Sequence, residues 1–282
     1  MRNFVQYAII GLATGCAFAL VATGFVAIHR VTRVVNFAQG GFAVVAGYVT
    51  FTLLHTGLPH VVSELLAVLA ATAVGAVVGV VTIGRRGTPV LASLIMTIGI
   101  GIFFYAVEVA IWGDLPLQFE GLPGIFAVAG VTLQRQYLLI VVVTLATFAA
   151  LTLFFGRSYL GKVFTACASN AYAARLAGVD VTRVGIAAFA LGGALGGLAG
   201  VLLIPLRSLT FDSDVDLAIN GFAAAIFGGL QRPGLALLGG IILGVAEAMV
   251  AGYSRASYQK AVSLVVILGI LVWQAARRQH TE

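Results

Sequence analysis

Apolar residues run along this chain in blocks of about 20, the length a helix needs to cross the hydrocarbon of a bilayer with its backbone hydrogen bonds closed. The blocks are Phe4 to Ile28, Asn36 to Leu54, Val61 to Ile83, Pro89 to Trp112, Tyr137 to Phe155, Gly185 to Leu206, Gly234 to Ala251 and Ala261 to Trp273, which predict eight spans. Ala17-Phe18-Ala19 has the look of a cleavage site, but the apolar run continues past it, so an uncleaved first span is expected. Ala218 to Leu230 is too short to cross and predicts a half or re-entrant helix. Three polar stretches interrupt the pattern. Residues 113–136, with Asp114, Pro116, Glu120 and Pro123, predict a loop, and residues 207–217 place Asp212, Asp214 and Asp216 in a second one. Residues 156–183 keep helical character and carry Arg157, Lys162, Arg175 and Arg183 against one acid, Asp180.

Composition agrees with the pattern. With 61% hydrophobic and 9% charged residues, a soluble fold would lack the polar surface to cover itself. An all-α polytopic membrane protein is expected, its 282 residues forming one transmembrane domain. The net charge of +6 is explained by the bilayer rather than by nucleic acid, because cytoplasmic loops collect Lys and Arg. One side of the eight-span topology holds Arg30, Arg33, Arg85, Arg86, Arg157, Lys162, Arg175, Arg183, Arg232, Arg277 and Arg278. The other holds Arg2, Arg135, Arg207, Arg255 and Lys260, with Glu64, Asp114, Glu120 and the three aspartates. The first side is therefore expected in the cytosol, C-terminus included, and the aspartates outside. Cys16 and Cys167 fall in different compartments of this topology, so neither a disulfide nor a metal site is expected.

The basic segment is the part with most to say. A helix held between spans at the cytosolic surface has to meet something outside the bilayer, and it reads as a docking element for a soluble partner; a solvated connector lying on the headgroups is the alternative. Gly156 to Val163 is one residue away from a phosphate-binding loop, but Val163 stands where the magnesium-holding hydroxyl belongs and a membrane helix precedes it, so no nucleotide site is expected here. Gly192, Gly196 and Gly200 step by four, as do Gly240 and Gly244, which predicts close helix packing and leaves sliding during gating open. Glu108 and Glu247 lie in apolar spans near their outer ends, where they are expected to snorkel or to pair with Arg255 or Lys260. His29, His55, His60 and His280 lie at loops and helix ends, Glu64 four residues after His60 being the one nearby acid, and no HExxH or GxSxG pattern occurs, so a non-enzymatic protein is expected.

VVNFAQGGFAVVAGY at 34–48, GRSYLGKVFTACASNAYAARLAGVDVTRV at 156–184 and GFAAAIFGGLQRPGLALLGGIILGVAEAM at 221–249 together resemble the permease subunits of the branched-chain amino-acid ABC transporter family, in particular the smaller of its two permeases. The resemblance implies an importer in a bacterial cytoplasmic membrane with two cytosolic ATPases, a second related permease and an external solute-binding protein. ATP and magnesium would reside on the ATPases and no cofactor on this chain. It implies that Ala173, Ala174 and Gly178 belong to the coupling helix, with Arg157, Gly161, Lys162, Asn170 and Arg175 in the same segment. Asn36, Phe37, Ala38, Gln39 and Gly40 fit the family's Asn-Phe-Ala-(His or Gln)-Gly pattern, and Gly41 stands where an acid often follows. Asn36, Phe37, Gln39 and Gly40 are then expected along the translocation path. Asp212, Asp214 and Asp216 suit basic residues of a solute-binding protein, a solvated loop being the alternative. Expected substrates are branched-chain or other small hydrophobic, zwitterionic amino acids, with amides or urea as alternatives. A carrier or channel that works without an ATPase is the rival class, and a membrane enzyme a further one.

Overall fold

The computed structural model describes residues 2–83, 89–128, 131–210, 212–254 and 258–279. Arg85, Arg86, Arg255 and His280 lie outside the described residues, as do the side chains of Arg2, Lys260, Arg277 and Arg278. Eleven α-helices follow in order: α1 Arg2–Thr32, α2 Gln39–His55, α3 His60–Ile83, α4 Val90–Trp112, α5 Arg135–Arg157, α6 Tyr159–Ser169, α7 Ala171–Leu176, α8 Val181–Leu203, α9 Ser213–Phe227, α10 Pro233–Tyr253 and α11 Gln259–Gln279.

Among the described residues six helices are long and apolar enough to cross a membrane: α1, α3, α4, α5, α8 and α10. The expected count of eight is not confirmed among the described residues. The block at 36–54 yields only the 17-residue α2, because 33–38 leave the helix and Asn36 turns the chain before Gln39. The half element is there, but it is α9, 15 residues long, and its first turn takes in Asp214 and Asp216, which the sequence pattern places in a loop. The expected basic turn at 29–35 is shorter, since α1 continues through His29 and Arg30 to Thr32. In the 113–136 loop, β1 Ile125–Val128 and β2 Val131–Gln134 pair as an antiparallel hairpin with Ile125 opposite Gln134.

The centre of the bundle is α1, whose residues from Ala13 to Ile28 are almost all buried. A helix apolar all round belongs inside, with other helices around it. It lies against α10 through backbone: a Cβ on Gly244 would sit 2.4 Å from Gly15 Cα. On α8, a Cβ on Gly200 would sit 2.1 Å from Ala43 O, while Gly193 and Gly197 meet Ala71 on α3. The four-residue glycine steps are thus the seams where α8 seats between α2 and α3, since lipid offers no hydrophobic drive and close van der Waals packing must hold the helices.

Two buried acids answer differently from expectation. Glu108 is 1% and Glu247 2% exposed, so neither snorkels. Glu247 Oε1 accepts from Ser263 Oγ at 2.5 Å and its Oε2 from Gln259 Nε2 at 3.2 Å, and the same Ser263 hydroxyl lies within hydrogen-bond reach of Asn220 Oδ1, its single proton serving one of the two oxygens at a time. This network ties α11 to α10 and α9. Glu108 finds no hydrogen-bond partner among the described residues.

Candidate functional site

The two ends of the bundle are chemically unlike. At one end Leu230 O lies 3.3 Å from His29 Nδ1, Arg33 Nη2 donates to Ala168 O at 3.1 Å, and Arg30 stands over the Phe155 ring. Arg157, Lys162, Arg175, Arg183 and Arg232 join them there. At the other end Gln118 reaches Pro205 O, Leu117 bridges Leu209, and Gln136 Nε2 donates to Leu202 O at 2.8 Å.

The basic interruption is two helices rather than one. Its boundaries are written by three cap residues: Ser158 Oγ accepts from Gly161 N, Asn170 Oδ1 from Ala173 N, and Asp180 Oδ1 from Thr182 N and Arg183 N. Each short oxygen-bearing side chain satisfies an amide that the first helical turn leaves free. Gly161 sits in the α5–α6 corner, where a Cβ would lie 2.0 Å from Phe154 O. Gly178 ends α7 at φ +84°, a left-handed position suited to glycine, with Val179 N returning to Ala174 O. Between these points Phe164, Cys167 and Ala174 pack with Val31, Val181 and Ala188. Burial pushes the Cys167 thiol up, and the nearby Arg175 charge offsets part of that.

Ala174 is thus a core contact at 5% exposure, whereas Ala173, Asn170, Arg157, Lys162, Arg175 and Gly178 face outward. The outward face also carries Tyr172, 71% exposed, and Leu176, 74% exposed, one turn apart on α7. Sequence reasoning singled out neither. The signal was available: two large side chains four apart in a segment whose basic residues keep it outside the bilayer.

The second candidate is a cavity of about 570 Å³ among α4, α9 and α11. Ile98, Gly101, Ile102 and Tyr105 give it one stripe of α4; Ala218, Ile219 and Phe222 face it from α9, and Leu264 and Ile267 from α11. Asp212 and Asp214 are its acidic residues, and among the described residues no basic one lines it. Of the NFAQG residues Phe37 lines it, 41% exposed, with its ring 6.2 Å from that of Phe222. Asn36 and Gln39 are fully buried and spend their amides on the chain: Asn36 Oδ1 accepts from Ala38 N, and Gln39 Nε2 donates to Gly192 O at 2.9 Å. Gly40 lies where α2 and α9 begin side by side, since a Cβ there would meet Asp214 O at 1.9 Å. Asp214 is half-buried and Asp212 exposed, so the three aspartates are not one solvated cluster. Asp216 lines a separate cavity of about 460 Å³ with Arg207, Asn220 and Glu247.

Residues 7–271 match the protein family described as branched-chain amino acid transport system / permease component. The chain is 32% identical to the high-affinity branched-chain amino acid transport system permease protein BraD of Pseudomonas aeruginosa, over 96% of this chain and 94% of that one. It is 28% identical to the permease protein LivH of Escherichia coli K12, over 95% and 93% of the two chains. Among solved structures, PsaBC from Streptococcus pneumoniae in complex with Fab superposes with a TM-score of 0.52 at 12% identity, covering 95% of this chain and 90% of that one, a likeness of fold.

Proposed function

The chain belongs to the branched-chain amino acid transport permease family, and we propose that it is one permease of an ATP-driven importer whose energy arrives through α6 and α7. The observation that carries this is the outward face of α7. Tyr172 and Leu176 are held out of the fold on α7, with the exposed Arg175 between them in the same helix and the exposed Arg157 and Lys162 in the same segment of the chain. Large apolar side chains with basic residues on one segment joined to spans α5 and α8 suit a groove with an acidic rim on a soluble protein. Two cytosolic ATPases would supply such grooves, one to each of two permeases, with ATP and magnesium on those subunits. The basic end is then cytosolic, in the cytoplasmic membrane of a bacterium.

The path is proposed along the cavity beside Phe37, its open side completed by a second, related permease. Apolar walls from α4, α9 and α11 suit a small hydrophobic side chain, and Asp214 and Asp212 suit the ammonium end of a zwitterion. Leucine, isoleucine and valine meet both requirements. Asp212, the exposed aspartate, remains available at the outer end for a solute-binding protein. Asn36, Gln39 and Gly40 serve the path indirectly, by fixing where α2 starts.

The test is reconstitution. Vesicles holding this chain alone are expected to show no uptake, and vesicles holding the full set of subunits ATP-dependent uptake that requires the binding protein. Uptake by the chain alone would point to an ATP-independent carrier instead.

A further inference from the structure

Helix α1 does not pass directly into α2. Arg33 takes φ +60°, a left-handed conformation that a side-chain-bearing residue rarely holds without being pinned, and the chain runs non-helically from there to Ala38. The pins are visible. Arg33 N closes the last turn of α1 on His29 O at 2.9 Å, and its guanidinium donates to Ala168 O in the last turn of α6, where helix carbonyls lack intrahelical partners and favour a cation. Val31, two residues earlier, is buried with Phe164, Cys167 and Ala174 of α6 and α7. At the other end of the strap Phe37 N donates to Thr97 Oγ1 of α4 at 3.2 Å, and its ring stands in the cavity against Phe222. Arg33, which makes the α6 contact, and Phe37 are four positions apart, no more than about 14 Å of extended chain.

From this geometry we infer that Arg33 is a positioning residue of the transport cycle: it holds the 33–38 strap to α6, so that displacement of α6 moves Phe37 within the cavity. A strap fixed at both ends and short of slack transmits a shift that a free loop would absorb. Asn36 adds stiffness, its side chain accepting from Ala38 N and donating toward Gln39. The assignment rests on α6 and α7 being the ATPase-docking element, and it adds the route by which their movement reaches the path.

The experiment uses the complete complex in proteoliposomes, with ATP hydrolysis and solute uptake measured in parallel. Arg33→Met keeps the long stem and the backbone strain and removes the donors; Arg33→Lys keeps a donor. Arg33→Met is expected to lower uptake per ATP hydrolysed about tenfold with the ATPases still bound, and Arg33→Lys to recover at least half of the wild-type ratio. A second readout is Phe37→Cys, since both native cysteines, Cys16 and Cys167, are buried. Its labelling by a thiol reagent is expected to differ between resting and vanadate-trapped complexes, and Arg33→Met to abolish that difference. An unchanged uptake-to-ATP ratio in Arg33→Met, or equal ratios in the Met and Lys variants, overturns the assignment. Should Arg33→Met release the ATPases, the labelling comparison between wild-type and Arg33→Lys backgrounds decides: a Phe37→Cys signal that never switches overturns it. Absence of ATP-dependent uptake in the wild-type complex would instead remove the importer reading beneath it.

Discussion

Replacing Tyr172 and Leu176 together by alanine tests the docking face most directly. The two side chains are 71% and 74% exposed, so removing them changes little inside the fold, and a stability change within about 0.5 kcal/mol is expected. Their worth is in what they bury elsewhere. A fully buried leucine or aromatic side chain contributes about 1.5–3 kcal/mol relative to exposure. With roughly three-quarters of each surface still to be buried and the alanine Cβ retained, each truncation removes about 1–2 kcal/mol of docking. The double variant should weaken ATPase binding by about 3 kcal/mol, on the order of a hundredfold in Kd. Titration of the ATPase subunits onto the permease pair in nanodiscs reads this, with unfolding temperature as the control. Ala174→Leu is the contrast: at 5% exposure, against Phe164 and Cys167, overpacking should cost about 1–3 kcal/mol of stability. Wild-type affinity in the double variant, with the fold intact, refutes the docking role of this face.

Gly200→Ala should destabilise the bundle by roughly 1–3 kcal/mol, because its Cβ would fall 2.1 Å from Ala43 O and α2 must move off α8; thermal unfolding in detergent measures it. Asp214→Asn should shrink the preference for an amine-bearing solute over its deaminated analogue by roughly tenfold, about 1.4 kcal/mol, in competitive uptake. Equal competition before and after the substitution would remove Asp214 from the path. Glu247→Leu leaves Gln259 without its acceptor and Ser263 with Asn220 alone, and should loosen α11 by about 2 kcal/mol, read as faster proteolysis or amide exchange in that helix, while Glu247→Gln keeps an acceptor and should lose less.

What the residues determined by themselves was whatever depends on one segment at a time. Membrane class follows from the apolar blocks, because a backbone in hydrocarbon must close its own hydrogen bonds. The caps at Ser158, Asn170 and Asp180 and the glycine at 178 mark the ends of α6, α7 and α8 through local chemistry that needs no partner helix. Even Tyr172 and Leu176 stand legible four apart, once one asks which large side chains a six-residue helix outside the bilayer cannot hide. Tertiary structure decided the rest. Asn36, Phe37 and Gln39 are neighbours in one motif, yet two are buried against α8 and α2's own start while the third faces the cavity. That division depends on α8 passing beside Gln39 and on α4 and α9 flanking Phe37, and no local pattern encodes it. Glu247 on α10 is satisfied by Ser263 and Gln259 of α11, and Asp214 and Asp216 part company because, two residues apart on one turn of α9, they point to nearly opposite faces and so to different cavities. A side chain's environment in a bundle is set by which helix lies opposite, and that is a property of the packed whole.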